Sequence, residues 1–233
     1  MSRLTPTGNE HRDLYFAPLE GQNDFMNRFL LSLLMLALPS AALALPQPLT
    51  GADRANAIAS ANRALGIAGP LKGRFVQIDS RGKTAGGSFY LQRPGKVRFA
   101  YDAPNPLTIV SDGSIVSLED SALKTVNRAP LKTTPLYLLL KRDVNIERDA
   151  KVTSVAKDGD SILVGLRDPS GQTNGDLTLT FDGPARELRQ WRVTDAAGNV
   201  TLTALQTVQA VPALDQKLFE TKAPTPTGAR AHP

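Results

Sequence analysis

Chemistry at neutral pH needs groups that give up protons, attack, or hold a metal, and this sequence is short of them. Its two histidines, His11 and His232, stand at the two ends of the 233 residues, and there is no cysteine. An imidazole relay, a zinc site or a thiolate nucleophile in the body of the chain is therefore excluded. Carboxylates are more numerous, but Asp79, Asp112, Asp158, Asp160, Asp176, Asp182 and Asp195 fall in stretches that read as turns, where an Asp side chain ordinarily binds the neighbouring backbone. Asp158-x-Asp160 lacks the remaining ligands of a calcium loop. There is no Gly-x-Ser-x-Gly, phosphate-cradling or dinucleotide-binding glycine pattern, and the lone pair Gly86-Gly87 reads as a strand kink. The chain reads as a non-enzyme, with no catalytic residue, metal or cofactor.

The elements that remain to be explained are strands. After a Pro-rich linker at 45–50, Asp53 to Leu65 predicts a short amphipathic helix with Ala55, Ile58, Ala59, Asn62 and Leu65 on one stripe. The period then changes from 3.6 to 2. Strands are expected at 74–78, 87–93, 96–101, 107–110, 114–118 and 123–127, and again at 151–155, 162–167, 177–181, 187–193 and 200–207. Turns such as Lys157-Asp158-Gly159-Asp160 and Thr173-Asn174-Gly175-Asp176 separate them. Between the two runs, Thr134 as N-cap and Pro135 at the first helical position predict a second helix through Leu136, Tyr137, Leu138, Leu139 and Leu140. Strands in series without intervening helices make an antiparallel sheet. A sheet of about ten strands must curl. The fold expected is mainly β: an antiparallel, half-open and unclosed β-barrel with an α-helical lid on its concave face.

The N-terminus carries an address. Phe29 to Leu38 holds one polar residue, Ser32, follows Arg28, and leads through Pro39 into Ala42-Leu43-Ala44. This is the build of a secretory signal peptide cleaved after Ala44, and it is too short for a membrane span. Residues 26–44 are read as that signal peptide, 1–25 as a non-native extension before Met26, 45–223 as one domain, and 224–233 as a disordered tail. The net charge is +5, but no segment is a dense Lys/Arg run, so nucleic acid is not an expected partner.

Apolar surface is then the feature that calls for a role. Phe75, Phe89, Leu91, Val97, Phe99 and Tyr101 point inward on the alternating pattern. Two short helices cover little of such a face. It either collapses into an ordinary core or holds an apolar ligand. Arg93 breaks the inward face of its strand. A buried arginine needs acceptors, and carbonyls at a lid-helix end would serve and make it a latch. Alternatively Arg93, as the last strand residue, reaches solvent.

The spaced set Gly73-Arg74-Phe75-Val76-Gln77, Gly87-Ser88-Phe89-Tyr90-Leu91-Gln92-Arg93-Pro94-Gly95-Lys96-Val97-Arg98-Phe99 and Ile109-Val110-Ser111-Asp112-Gly113 resembles the LolA family of periplasmic outer-membrane lipoprotein carriers. The Thr134-Pro135-Leu136 helix start and a late Leu218-Phe219 strand also fit, and the resemblance spans roughly 52–222. It implies a half-barrel that takes triacylated lipoproteins from an inner-membrane Lol ABC transporter. The carrier shields their acyl chains in an apolar cavity and delivers them to the acceptor LolB or directly to the outer membrane. It implies a periplasmic monomer, with Arg93 as lid latch. The family's cavity aromatic falls on Phe99, the neighbouring position on Val97, and its lid helix on Leu136 to Leu140. Together with the pattern of the strands and the first helix, the candidate acyl-chain cavity is Phe75, Phe89, Leu91, Val97, Phe99, Tyr101 and Ile109, and the candidate lid is Ile58, Leu65, Leu136, Tyr137, Leu139 and Leu140. The family often has Trp where Phe99 and Tyr90 stand, whereas the one tryptophan here is Trp191. The alternative is a half-barrel regulatory domain that senses lipid or lipoprotein.

Overall fold

The computed structural model describes residues 45–66, 69–171 and 175–224. The expected extension, signal peptide and cleavage point, the first half of the 173–176 turn, and the tail from 225 lie outside the described residues.

Two antiparallel meanders share one sheet. The first comprises β2 (Leu71–Ile78), β3 (Thr84–Gln92), β4 (Lys96–Tyr101), β5 (Leu107–Asp112), β6 (Ile115–Asp120) and β7 (Thr125–Pro130). The second comprises β8 (Lys151–Asp158), β9 (Ser161–Arg167), β10 (Gly175–Asp182), β11 (Glu187–Asp195) and β12 (Val200–Ala210). They join where β12 pairs with β2, and β1 (Gln47–Pro48) adds to β8, giving the order β1-β8-β9-β10-β11-β12-β2-β3-β4-β5-β6-β7. The end strands β1 and β7 are not neighbours in that order, so the sheet is not closed. The expected linker at 45–50 is thus corrected: it contributes an edge strand, where Pro48, lacking an N–H, is tolerated.

This order explains the lid. The chain leaves β7 at one edge and must reach β8 near the other. It also leaves β1 at that far edge and must reach β2 in the middle. Both connections therefore cross the sheet, and both carry the helices: α1 (Gly51–Leu65) in one, α2 (Tyr137–Leu140) and α3 (Ile146–Asp149) in the other. Their buried residues Ile58, Leu65, Leu140 and Ile146 join Phe75, Phe89, Phe99, Phe181 and Trp191 in one apolar core.

Details of the helices differ from expectation. On α1 the buried stripe is Ala57, Ile58, Ala61 and Leu65, while Ala55 and Ala59 are exposed. Alanines on several faces leave the stripe underdetermined, and packing against β11 and β8 decides it. The second helix is a single turn. Thr134 has extended backbone, and its hydroxyl donates to the carbonyl of Leu131 (2.8 Å) rather than capping. A 3-10 turn at Leu131–Thr133 precedes it. The α3 turn was not expected. The late strand at 218–219 is instead part of a 3-10 turn, Gln216–Phe219, which buries Phe219. Lys222 just beyond it pairs with the buried Glu119 of β6 (2.8 Å).

Two glycines of the sequence motif are required by the close approach of a neighbouring strand's backbone and of an aromatic ring. In register, Gly73 faces Phe89 and Gly87 faces Phe75. A Cβ on Gly73 would lie 1.7 Å from the Thr207 carbonyl oxygen and 2.7 Å from the Phe89 ring, and one on Gly87 2.2 Å from the Ala100 carbonyl oxygen and 2.7 Å from the Phe75 ring. Each aromatic ring lies across the neighbouring strand, where a side chain would stand. Gly86, the other half of the pair, has nothing nearer than 3.4 Å.

Candidate functional site

The β3–β4 and β5–β6 hairpins build one end of the site. Gly95 has φ +74, and a Cβ there would lie 2.5 Å from the Gly113 Cα, so the Arg-Pro-Gly and Ser-Asp-Gly turns pack backbone to backbone. Asp112 holds its own turn by accepting from the N–H of Ser114 (2.8 Å) and of Ile115 (2.9 Å). This stack fixes Arg93 at the end of β3.

From there the Arg93 side chain turns under the helices. Its Nε donates to the carbonyl of Leu139 (2.9 Å) and its NH1 to the carbonyl of Leu65 (2.6 Å). The Gly95 N–H donates to the Leu140 carbonyl (2.7 Å). Leu65 ends α1, and Leu139 and Leu140 end the single turn of α2. Carbonyls at helix ends have no partner within the helix and carry the negative end of its dipole. A guanidinium, with five donors in a fixed fork, suits two of them at once. Burial pushes the Arg93 guanidinium below its ordinary value. Of the two readings left open by the strand pattern, the one with carbonyl acceptors is the observed geometry.

Beyond Arg93 lies a cavity of about 370 Å³ between the helices and the sheet. Phe89, Leu91, Val97 and Phe99 form its wall from β3 and β4, while Leu65, Leu136 and Leu139 form its roof. A smaller cavity of about 150 Å³ adjoins it, lined by Tyr101 and Ile109 among others. Phe99, Leu136 and Trp191 line both. The Phe99 and Trp191 rings meet edge to face with centroids 6.1 Å apart.

The remaining expected residues fall elsewhere. Phe75 is wholly buried and packs edge to face on Phe99 (5.1 Å) and Tyr101 (5.2 Å), so it supports the wall from behind. Ile58 of α1 and Leu140 of α2 are likewise buried, on the core side of the lid. Tyr137 faces away from both cavities into a third, polar groove, with the Lys141 ammonium 5.3 Å from its ring centroid. Gln77 braces the small cavity: its carbonyl oxygen accepts from the Tyr101 hydroxyl (2.5 Å) and its amide donates to Thr203 (3.1 Å). Burial of the Tyr101 phenol raises its pKa, with the Gln77 bond acting the other way.

The sequence reading missed the wall contributed by β11 and β12: Leu188, Trp191 and Leu205. The register shift between β10 and β11 opposes Thr180 to Gln190 but Phe181 to Leu188, so Arg189 is an extra residue. Such a bulge turns Leu188 to the same side as Trp191, which strict alternation forbids.

Fold and site together define a class: an open antiparallel half-barrel whose inner face and two crossing helical segments enclose an apolar space. The family model described as outer membrane lipoprotein carrier protein LolA matches residues 68–222. The chain belongs to the LolA family. An outer-membrane lipoprotein carrier protein of Methylobacillus flagellatus is 30% identical over 156 residues, covering 63% of this chain and 74% of its own. One of Pseudomonas paraeruginosa is 28% identical over 187 residues, 77% of this chain and 89% of its own. Among solved structures, a LolA superfamily protein from Nitrosomonas europaea is 8% identical with a TM-score of 0.45, covering 72% of this chain and 97% of that one. Nothing in the family match or its named relatives indicates catalysis.

Proposed function

We propose that this protein carries acylated lipoproteins through the periplasm, sheltering their acyl chains in the cavity beneath α1 and α2. It takes them from an inner-membrane Lol ABC transporter and delivers them to LolB or directly to the outer membrane, acting as a monomer and without turnover. Residues 26–44 act as its cleavable signal peptide. Arg93 is the lid latch. Phe89, Leu91, Val97, Phe99, Tyr101 and Ile109 receive acyl chains, with Phe75 behind them, and Leu65, Leu136 and Leu139 form the inner surface of the lid.

The observation that carries the reading is the coupling of the apolar cavity to Arg93. The residue on the cavity wall also binds the terminal carbonyls of both roof segments. Each buried methylene contributes about 0.8 kcal/mol, so a deep rigid pocket for three chains would never release them. The two cavities, of about 370 and 150 Å³, lie beneath a roof whose helix ends Arg93 holds, so acyl chains that fill them press on that roof. Loading therefore lifts the lid, at the expense of the Arg93 bonds, and delivery restores them.

Purified residues 45–233 incubated with spheroplasts bearing a labelled triacylated lipoprotein test this. The expected result is labelled lipoprotein in the soluble fraction as a one-to-one complex. Lipoprotein that stays with the spheroplasts contradicts it.

A further inference from the structure

The polar groove behind α2 is not isolated from the cavities. It has a volume of about 330 Å³ and lies between the segment 132–141, α3, and the ends of β9 and β10. Thr134, Pro135 and Leu177 line both this groove and the small cavity. The small cavity in turn shares Phe99, Leu136 and Trp191 with the large one. Three spaces thus stand in a row, and their character changes along it. The first two are walled mainly by aliphatic and aromatic side chains. The third has an apolar floor, with Leu138, Leu166 and Leu177, and a charged rim that includes Lys132, Lys141 and Arg167.

We propose that the peptide following the acylated residue of the cargo leaves the cavities beneath α2 and lies in this groove. The inference rests on the carrier reading and adds the route of the polypeptide. An acylated protein is apolar at one end and peptidic immediately after it, and the row of spaces has the same polarity in the same order. The walls between the spaces lie in part on the lid connection. Thr134, Pro135 and Leu136 belong to the connection that carries α2, which Arg93 holds through Leu139. Ion pairs brace the rim of the groove. Asp149 accepts from Lys141 (3.1 Å), from Arg148 and from the Asn145 N–H (2.9 Å), and Arg167 pairs with Asp176 (2.7 Å). These bonds keep the charges on the rim and leave the apolar floor to an extended chain. At its other end the large cavity is lined by Leu71, Val208 and Ala210, of which Val208 and Ala210 are exposed. It offers apolar walls to acyl chains but fewer polar partners for a peptide.

A synthetic lipopeptide tests the route. It carries a diacylglyceryl cysteine, a short soluble peptide, and a photoreactive benzoylphenylalanine at the third residue. After illumination with the full-length mature protein, mass spectrometry of the digest maps the adducts. The expected result is that the greater part falls on Lys132, Tyr137, Leu138 or Arg167. Adducts concentrated on Leu71, Val208 or Ala210 overturn the route while leaving the carrier reading intact. Palmitate binding, measured on the same protein, reports the cavities alone. If neither palmitate nor the lipopeptide binds, the carrier reading falls and the route falls with it.

Discussion

The guanidinium of Arg93 donates to the carbonyl of Leu65 at 2.6 Å across 28 residues of sequence. This one contact ties the end of a strand hairpin to the last residue of a helix from the other connection. With the bond to Leu139, it makes the roof of the cavity depend on a residue of its wall. Hydrogen bonds to a charged group contribute about 1.5–3 kcal/mol each, and 1.4 kcal/mol is a factor of ten.

Replacing Arg93 by Leu removes both donors and leaves two helix-end carbonyls without them. The expected outcome is at least about tenfold faster amide exchange in Tyr137–Leu140, with the sheet amides unchanged. In transfer assays the variant should take up lipoprotein and fail to pass it on. Native exchange rates in α2, or normal release of cargo, count against the latch.

The paired glycines of β3 give a stability prediction with its own control. Gly87→Ala forces a Cβ to within 2.2 Å of the Ala100 carbonyl oxygen and 2.7 Å of the Phe75 ring. Overpacking of this kind costs about 1–3 kcal/mol. Gly86→Ala meets nothing nearer than 3.4 Å and should stay within about 1 kcal/mol of the parent. Thermal denaturation of the two variants compares them, and equal midpoints would contradict the packing described.

Asp149 links α3 to α2. Burial opposes its charge, but hydrogen bonds from Arg148, the Asn145 N–H and Lys141 outweigh that and hold the carboxyl well below the usual carboxylate range. A carboxylate depressed in the folded state stabilises it above the unfolded pKa of about 3.9 and loses that contribution as pH falls toward the folded value. Asp149→Asn should therefore be less stable than the parent at pH 7, and the difference should shrink as pH falls below about 4. A difference constant from neutral to strongly acid pH would show that Asp149 does not act through its charge.

Much of this architecture is legible in the sequence because it is local. Val97, Phe99 and Tyr101 alternate with Lys96, Arg98 and Ala100, and that alternation alone puts them on the inner face of β4. The Asp-Gly and Pro-Gly turns likewise mark their hairpins. What escaped depends on distant partners. Trp191 becomes a cavity wall because β12 pairs with β2 and joins the two meanders. Leu188 joins it through the bulge at Arg189, which no period announces. The helix expected over 134–141 shrinks to a turn because the extended backbone of Thr134 and the 3-10 turn before it spend the connection on crossing the sheet. Arg93 is the mixed case. Its break in the apolar face was visible, but its acceptors come from two crossovers whose paths only the strand order fixes.

Trp191 is the one tryptophan of the chain and lines both cavities, so its fluorescence reports directly on their contents. The most direct test of the account is to titrate the mature protein with a lipopeptide whose acyl chains carry bromine, which quenches indole at contact distance. Emission should fall and saturate at one lipopeptide per protein, and an unbrominated lipopeptide should compete the effect away. Emission that stays unchanged while the lipopeptide binds would mean that the acyl chains lie elsewhere, and would contradict the claim that this cavity carries them.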